Sequence, residues 1–210
     1  MRADPSCPRC GGPLQAPSVW SSDWNCISHG PVLPVQPPKR PSTDALGALL
    51  EVARVPVWLP WPLPPGWLVT GFLHAGDERT GARACGVALS GPAPLNSGPA
   101  DLLVIAEEPG VGLGAHYSGL DGLDPGAGCS SSSPHAKIEF GGHPIPMWAV
   151  NAAPDDRAVY VGEALGNWLW MILWPAEAGA LMIAQSELCD LREPGMMMDV
   201  PFGAVSPILR

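Results

Sequence analysis

Trp168-Leu169-Trp170-Met171-Ile172-Leu173-Trp174 is the longest continuous apolar run in the chain. Seven residues are too few to cross a bilayer, which takes about 20 as a helix. The run therefore reads as a strand that is apolar on both faces, and such a strand belongs in the middle of a sheet covered on both sides. Pro175-Ala176-Glu177-Ala178-Gly179 follows as a five-residue loop. Residues 180–188 are expected to return beside the first run as the second arm of a hairpin.

Upstream, short apolar runs alternate with turn signals at residues 67–73, 84–89, 102–107, 136–140, 147–151 and 158–162. Each has the length and composition of a strand. No regular succession of helices separates them, as a doubly wound fold would need. The fold class is α+β, mainly β: an antiparallel β-rich domain with one short helix. That helix is placed by Ser42, Thr43 and Asp44 as N-cap candidates and by Leu46, Leu49, Leu50 and Ala53 at helical spacing, and Pro56 ends it. Residues 55–67 hold five prolines and Trp58, Trp61 and Trp67, so this stretch runs extended. Its tryptophans are expected in the seam between the helix and the first strand; a proline-and-aromatic docking surface is the functional alternative.

A different chemistry occupies the N-terminus. Cys7-Pro8-Arg9-Cys10-Gly11-Gly12 and Cys26-Ile27-Ser28-His29-Gly30 are two pairs of soft ligands, each with a two-residue gap. That spacing predicts a closed tetrahedral Cys3His zinc site made by Cys7, Cys10, Cys26 and His29. Gly11 and Gly30 are placed to close each turn in the left-handed conformation, and Pro8 stiffens the first. Four protein ligands leave no open position for a reactive water, so the zinc is expected to be structural. Arg9 or Arg2 is placed to offset the negative charge of three thiolates.

The chain has 210 residues, 46% of them hydrophobic, with nine tryptophans beside 25 glycines and 27 prolines. It is long enough for a small metal module plus one domain with a proper core. Prolines 31, 34, 37, 38 and 41 suggest a semi-rigid linker. The expected organisation is a zinc ribbon at 1–30, a proline-rich linker at 31–41 and the β-rich domain at 42–210. Cys85, Cys129 and Cys189 are scattered and odd in number, which is no disulfide framework. With no secretory leader pattern either, the expectation is a cytoplasmic protein that is not membrane-bound. Net charge is −9. The first 40 residues carry plus two and the remainder minus eleven, which argues against a nucleic-acid partner.

Several further clusters carry possible chemistry. Gly110-Val111-Gly112-Leu113-Gly114-Ala115 follows a strand-like run and matches the pattern of a dinucleotide loop. The five glycines or prolines after it argue against the helix that such a loop must open, so it reads as a flexible connection. Glu107, Glu108, His116, Asp121 and Asp124 lie close in sequence and could do acid–base work, with Asp155 or Asp156 in support. Cys129 near His135, Glu139 and His143 matches no ligand spacing and reads as an exposed loop. Asp155-Asp156-Arg157 reads as a turn, and Met196-Met197-Met198 as apolar filler.

CPRCGG at 7–12, PVWLPWPLPPGW at 56–67, EEPGVGLGAHYSG at 107–119, APDDRAVYVGEA at 153–164 and NWLWMILWP at 167–175 together resemble an uncharacterised actinobacterial protein family with an N-terminal zinc ribbon. The resemblance spans nearly the whole chain and implies a bacterial cytoplasmic origin, with no activity, substrate or catalytic residue attached. The functional expectation is a non-catalytic zinc-ribbon protein whose β-rich domain binds a protein partner or small ligand. An enzyme using Glu107, Glu108 and His116 is the alternative.

Overall fold

In the computed structural model, which describes residues 4–95, 98–126, 128–183, 187–193 and 200–209, the apolar run is the strand Asn167–Trp174 at the centre of a seven-stranded antiparallel sheet. In chain order the elements are β1 (Trp24–Cys26), β2 (Gly30–Val32), α1 (Thr43–Val52), β3 (Trp58–Pro60), β4 (Leu68–Asp77), β5 (Gly81–Pro92), β6 (Pro99–Glu107), α2 (Leu113–Ser118), β7 (Ala136–Phe140), β8 (His143–Ala149), β9 (Ala158–Ala164), β10 (Asn167–Trp174) and β11 (Leu188–Asp190). Short 3-10 helices occupy Ala176–Ile183 and Pro207–Leu209. The large sheet runs β4-β5-β6-β10-β9-β8-β7. The architecture is mainly β with two short α-helices, as the alternation of apolar runs and turns implies.

Burial on both faces explains why the central strands read as unbroken apolar runs. Leu169, Met171 and Leu173 of β10 join one core with Leu102, Val104 and Ala106 of β6. Trp170 and Ile172 join a second core with Leu103 and Ile105 on the opposite face. The first face is covered by α1, β3 and the 3-10 helix, through Leu46, Leu49, Trp58 and Met182. Leu113 and Ala115 of α2, with Leu33, Val35 and Leu209, cover the second. Trp58 is buried and meets the Phe140 ring edge-on at 4.7 Å, so the tryptophan–proline segment serves the seam beside α1. Ser42 caps α1 by accepting the Ala45 N–H at 3.1 Å.

The expected hairpin after β10 does not form. Its neighbours are β6 and β9, residues 176–183 wind into a 3-10 helix, and β11 pairs instead with β3. The real hairpin partner is β9, joined through the two-residue turn Leu165-Gly166, whose φ angles of 53° and 76° are both positive. A turn of that hand matches the right-handed strand twist. Leu165 is a poor residue for it, which is why the turn leaves so little trace in the sequence.

The glycine-rich stretch after β6 also differs from a flexible connection, since it opens α2. Glu107 supplies the cap from the preceding strand: its carboxylate oxygens accept the N–H groups of Leu113 at 2.7 Å and Gly114 at 3.1 Å. Gly114 lies flat on the Trp170 indole, where a Cβ would come within 2.3 Å of the ring.

Residues 31–41 run extended, yet not as a free tether. Gln36 donates its N–H to the His74 carbonyl at 3.0 Å, and Gly76 donates to Pro34 at 2.9 Å, laying the proline-rich stretch along β4. Farther along β4, Val69 donates to Pro201 and Gly203 donates to Val69, both at 2.9 Å. The open edge of the sheet is thereby covered by two non-adjacent pieces of chain. The Met196-Met197-Met198 stretch lies outside the described residues.

Candidate metal centre

The two cysteine–histidine turns meet at the head of the molecule. β1 leads into the second turn and β2 leaves it, with Cys26 opposite Gly30 in register. The first turn is closed by Gly11 donating to the Cys7 carbonyl at 2.8 Å and Cys7 donating to Gly12 at 2.8 Å. Gly11 and Gly30 take φ of 66° and 67°, the left-handed conformation that both turns require.

One ligand atom each from Cys7, Cys10, Cys26 and His29 lies within 4.8 Å of the others, and this group could hold a metal ion. Bond lengths of about 2.3 Å to sulfur and 2.0–2.1 Å to nitrogen imply tetrahedral edges of about 3.8 Å between sulfurs and about 3.6 Å between sulfur and nitrogen. Cys10 Sγ lies 3.8 Å from Cys26 Sγ, and His29 Nδ1 lies 3.6 Å from Cys7 Sγ and 3.5 Å from Cys26 Sγ. These three separations match three of the six edges of such a tetrahedron. A disulfide would require sulfurs about 2.05 Å apart.

The surroundings act on the Cys7 and Cys26 sulfurs in opposite senses. Backbone N–H groups of Arg9 and Cys10 point at the Cys7 sulfur, and those of Ser28 and His29 at the Cys26 sulfur. Burial pushes the Cys7 thiol up to about 11. For Cys26, burial is outweighed by hydrogen bonds from His29, from the backbone of Ser28 and from Cys7, which bring it down to about 6. The surroundings thus favour a thiolate at Cys26 and oppose one at Cys7, where a bound cation would offset the burial.

The metal module docks firmly on the sheet. Trp24 Nε1 donates to Asp77 Oδ2 at 3.2 Å, Arg79 pairs with Asp23 at 3.1 Å, and Arg9 donates to the Gly110 carbonyl at 3.2 Å. Between module and sheet lies a cleft of about 350 Å³, lined by Arg9, Trp24, Asp77, Arg79, Arg83 and Val111 among others. The Nε of Arg9 is buried and has no hydrogen-bond partner among the described residues. The Arg9 side chain lines the cleft and donates to the Gly110 carbonyl.

The acid–base residues singled out from the sequence do not converge. Glu107 is fully buried with both oxygens committed to α2, and burial pushes it up to about 7 against the pull of the Leu113 and Gly114 N–H groups. Those two N–H groups are the ones a pyrophosphate would need. Glu108 is ion-paired with Arg83. His116 turns toward the first cysteine turn, where a Cβ on Gly11 would lie 3.5 Å from its Nε2, and burial lowers its pKa. Asp124 accepts the Gly110 N–H and Trp168 Nε1, and Asp121 is exposed. Asp155 is exposed in a turn where Asp156 pairs with Arg157 at 2.6 Å. His135 Nδ1 accepts the Ala149 N–H and His143 is exposed at the β7–β8 hairpin; neither forms a ligand cluster with Cys129 or Glu139 among the described residues. The feature that spacing arguments miss is the arginine-lined cleft, whose side chains come from segments up to about a hundred residues apart.

No helix among the described residues is long and apolar enough to cross a membrane. No curated protein and no solved structure matches the chain. A family model matches residues 1–209, and the chain belongs to that family, a family of unknown function (DUF6758).

Proposed function

We infer that this is a non-catalytic binding protein in which a structural zinc ribbon, closed by Cys7, Cys10, Cys26 and His29, forms one wall of a ligand cleft against the β-rich domain. The observation that carries this reading is the cleft itself: its volume is that of a small-molecule site, and it lies where the metal module and the sheet meet. Arg9, which stands between two of the proposed metal ligands, lines it with a guanidinium that donates to the Gly110 carbonyl. Arg79 and Arg83 are held there by partly exposed ion pairs with Asp23 and Glu108. Such pairs are worth about 0–1 kcal/mol, so a ligand carboxylate or phosphate can take over the guanidinium groups at little cost.

Zinc is the ion of choice because three sulfurs and one imidazole in a tetrahedron suit it best. It would supply no chemistry beyond holding the ribbon. The alternative, an enzyme built on Glu107, Glu108 and His116, has less support, because those groups face different parts of the fold. A cytoplasmic, bacterial setting accords with six free cysteines, and the acidic body favours a small ligand or protein partner over nucleic acid.

Titration with citrate and with inorganic phosphate at constant ionic strength, followed by calorimetry, tests the cleft. Saturable binding that the Arg79→Ala/Arg83→Ala double variant loses is the expected result. Equal binding by that variant, or none by the zinc-loaded protein, removes the anion cleft from the reading. Turnover of the bound compound removes its non-catalytic part.

A further inference from the structure

A second cavity, of about 240 Å³, lies on the sheet face opposite α1, far in sequence from the metal ligands. Its floor is β9 and its walls are two tryptophans. In register, Trp148 of β8 stands opposite Val161 of β9, and Trp168 of β10 stands opposite Glu163. Val161 and Glu163 are two residues apart, so all four side chains share one face. That face is the one holding Val161 and Trp168 in the second core, whereas Met147 points to the first.

The two indoles are fixed by their polar atoms. Trp148 Nε1 donates to the Ser132 carbonyl at 2.8 Å and Trp168 Nε1 donates to Asp124 Oδ1 at 3.1 Å, both in the loop between α2 and β7. With those donors committed, the rings offer the cavity only π-surface and apolar edge. Strands β8 and β10 flank β9, which sets their backbones about 10 Å apart, with Trp148 and Trp168 offset by two residues along it and both lining the cavity. Cys129, Pro146 and Gly162 complete the apolar lining, Ser130 adds a hydroxyl, and none of the described lining residues is basic. The charge at the rim is Glu163, which is exposed and has no ion-pair partner among the described residues.

Two indoles with committed N–H groups, an apolar floor, an exposed carboxylate and no basic residue among the described lining form a receptor for a positive charge that carries its own apolar surface. We propose that this slot binds a quaternary ammonium group, held between Trp148 and Trp168 with Glu163 as counter-charge. No group of three metal-ligating side chains lies there among the described residues, and a primary ammonium would lose hydration that the indoles do not replace. The proposal is independent of the arginine-lined cleft, which has the opposite preference for charge and lies against the metal module.

Choline is the probe, and 3,3-dimethylbutan-1-ol is its neutral counterpart of the same shape. Calorimetric titration of the zinc-loaded chain is expected to give one saturable choline site and at least tenfold weaker binding of the neutral alcohol. Glu163→Gln, a surface change that leaves the fold intact, is expected to weaken choline binding about three- to tenfold, and Trp148→Leu about tenfold or more. A trimethyllysine peptide titrated in parallel tells a free cation from a modified protein tail by which of the two binds tighter. Equal binding of choline and the alcohol, unchanged affinity in both variants, or no saturable uptake by the folded protein overturns the proposal. Thermal unfolding of each variant beside the parent separates loss of the slot from loss of the fold.

Discussion

The ribbon and the sheet are held together by different physics. The sheet buries two continuous cores, with Leu103, Ile105, Leu169, Trp170 and Ile172 all fully enclosed. Residues 4–30 bury only Cys7, Pro8 and Cys26, and leave Val19, Trp20 and Ile27 about nine-tenths exposed. A unit with so small a core does not order itself by apolar burial. What it has is four ligands at tetrahedral spacing. Metal should therefore be decisive for one region and nearly irrelevant to the other.

The sharpest way to break that contrast is Cys26→Ser, or removal of the ion by a chelator. Structural zinc contributes on the order of 10–16 kcal/mol to ordering a module of this kind. The expected outcome is loss of metal by elemental analysis and loss of amide protection over residues 4–30, while protection in β5, β6 and β10 persists. A variant that retains its metal and its thermal stability would show that the ribbon stands without the ion. The converse experiment strikes the sheet. Trp170→Ala empties the centre of the second core and is expected to cost about 3–5 kcal/mol, read by denaturant unfolding. If the ribbon has its own source of order, metal content stays at one equivalent as long as the sheet remains folded.

The contrast also explains what could be read in advance. The convergence of Cys7, Cys10, Cys26 and His29 was legible because they sit in two local turns, each specified within five residues. The sheet's strands were legible wherever an apolar run is bounded by turn residues, and β7 matches its expected span, Ala136–Phe140. Pairing was less so. Residues 180–188 look like a second arm, but the turn that makes the real hairpin uses Leu165 in a conformation leucine rarely adopts, and β11 finds its partner some 130 residues upstream. Helix α2 escaped for a related reason: its cap comes from Glu107 of the preceding strand, at a position where local rules look for serine or aspartate. The arginine cleft and the tryptophan slot are products of tertiary assembly, and no local spacing encodes either.

Glu107 provides a probe inside the sheet whose effect is of middle size. Its carboxyl titrates at about 7 when folded and at about 4.5 otherwise, because burial favours the neutral acid. Between those two values the folded protein keeps a proton that the unfolded chain has released, so stability falls as pH rises from about 4.5 to 7 and is level above that. The full effect is on the order of 3 kcal/mol. Glu107→Gln cannot ionise, and the difference in stability between parent and variant across this window is expected to vary in that sense. A difference that does not change with pH would mean that the backbone N–H groups of α2 hold the carboxylate ionised throughout.

The smallest effect concerns the junction between the two regions. Trp24→Phe deletes the indole donor to Asp77 and keeps most of the apolar contact. Asp77 loses little, because it still accepts from the backbone of Arg79 and Thr80 and from the Thr80 hydroxyl. The cost is therefore that of one ordinary hydrogen bond, about 1 kcal/mol, or roughly fivefold in an opening equilibrium. Because the metal site lies at the far end of β1 and closes through its own backbone turns, zinc affinity should stay the same. Amide exchange at Gln36 and Gly76, which tie the proline-rich stretch to β4, should quicken about fivefold. If zinc affinity drops along with it, docking and metal binding are one cooperative event, and the ribbon is ordered partly by the sheet on which it rests.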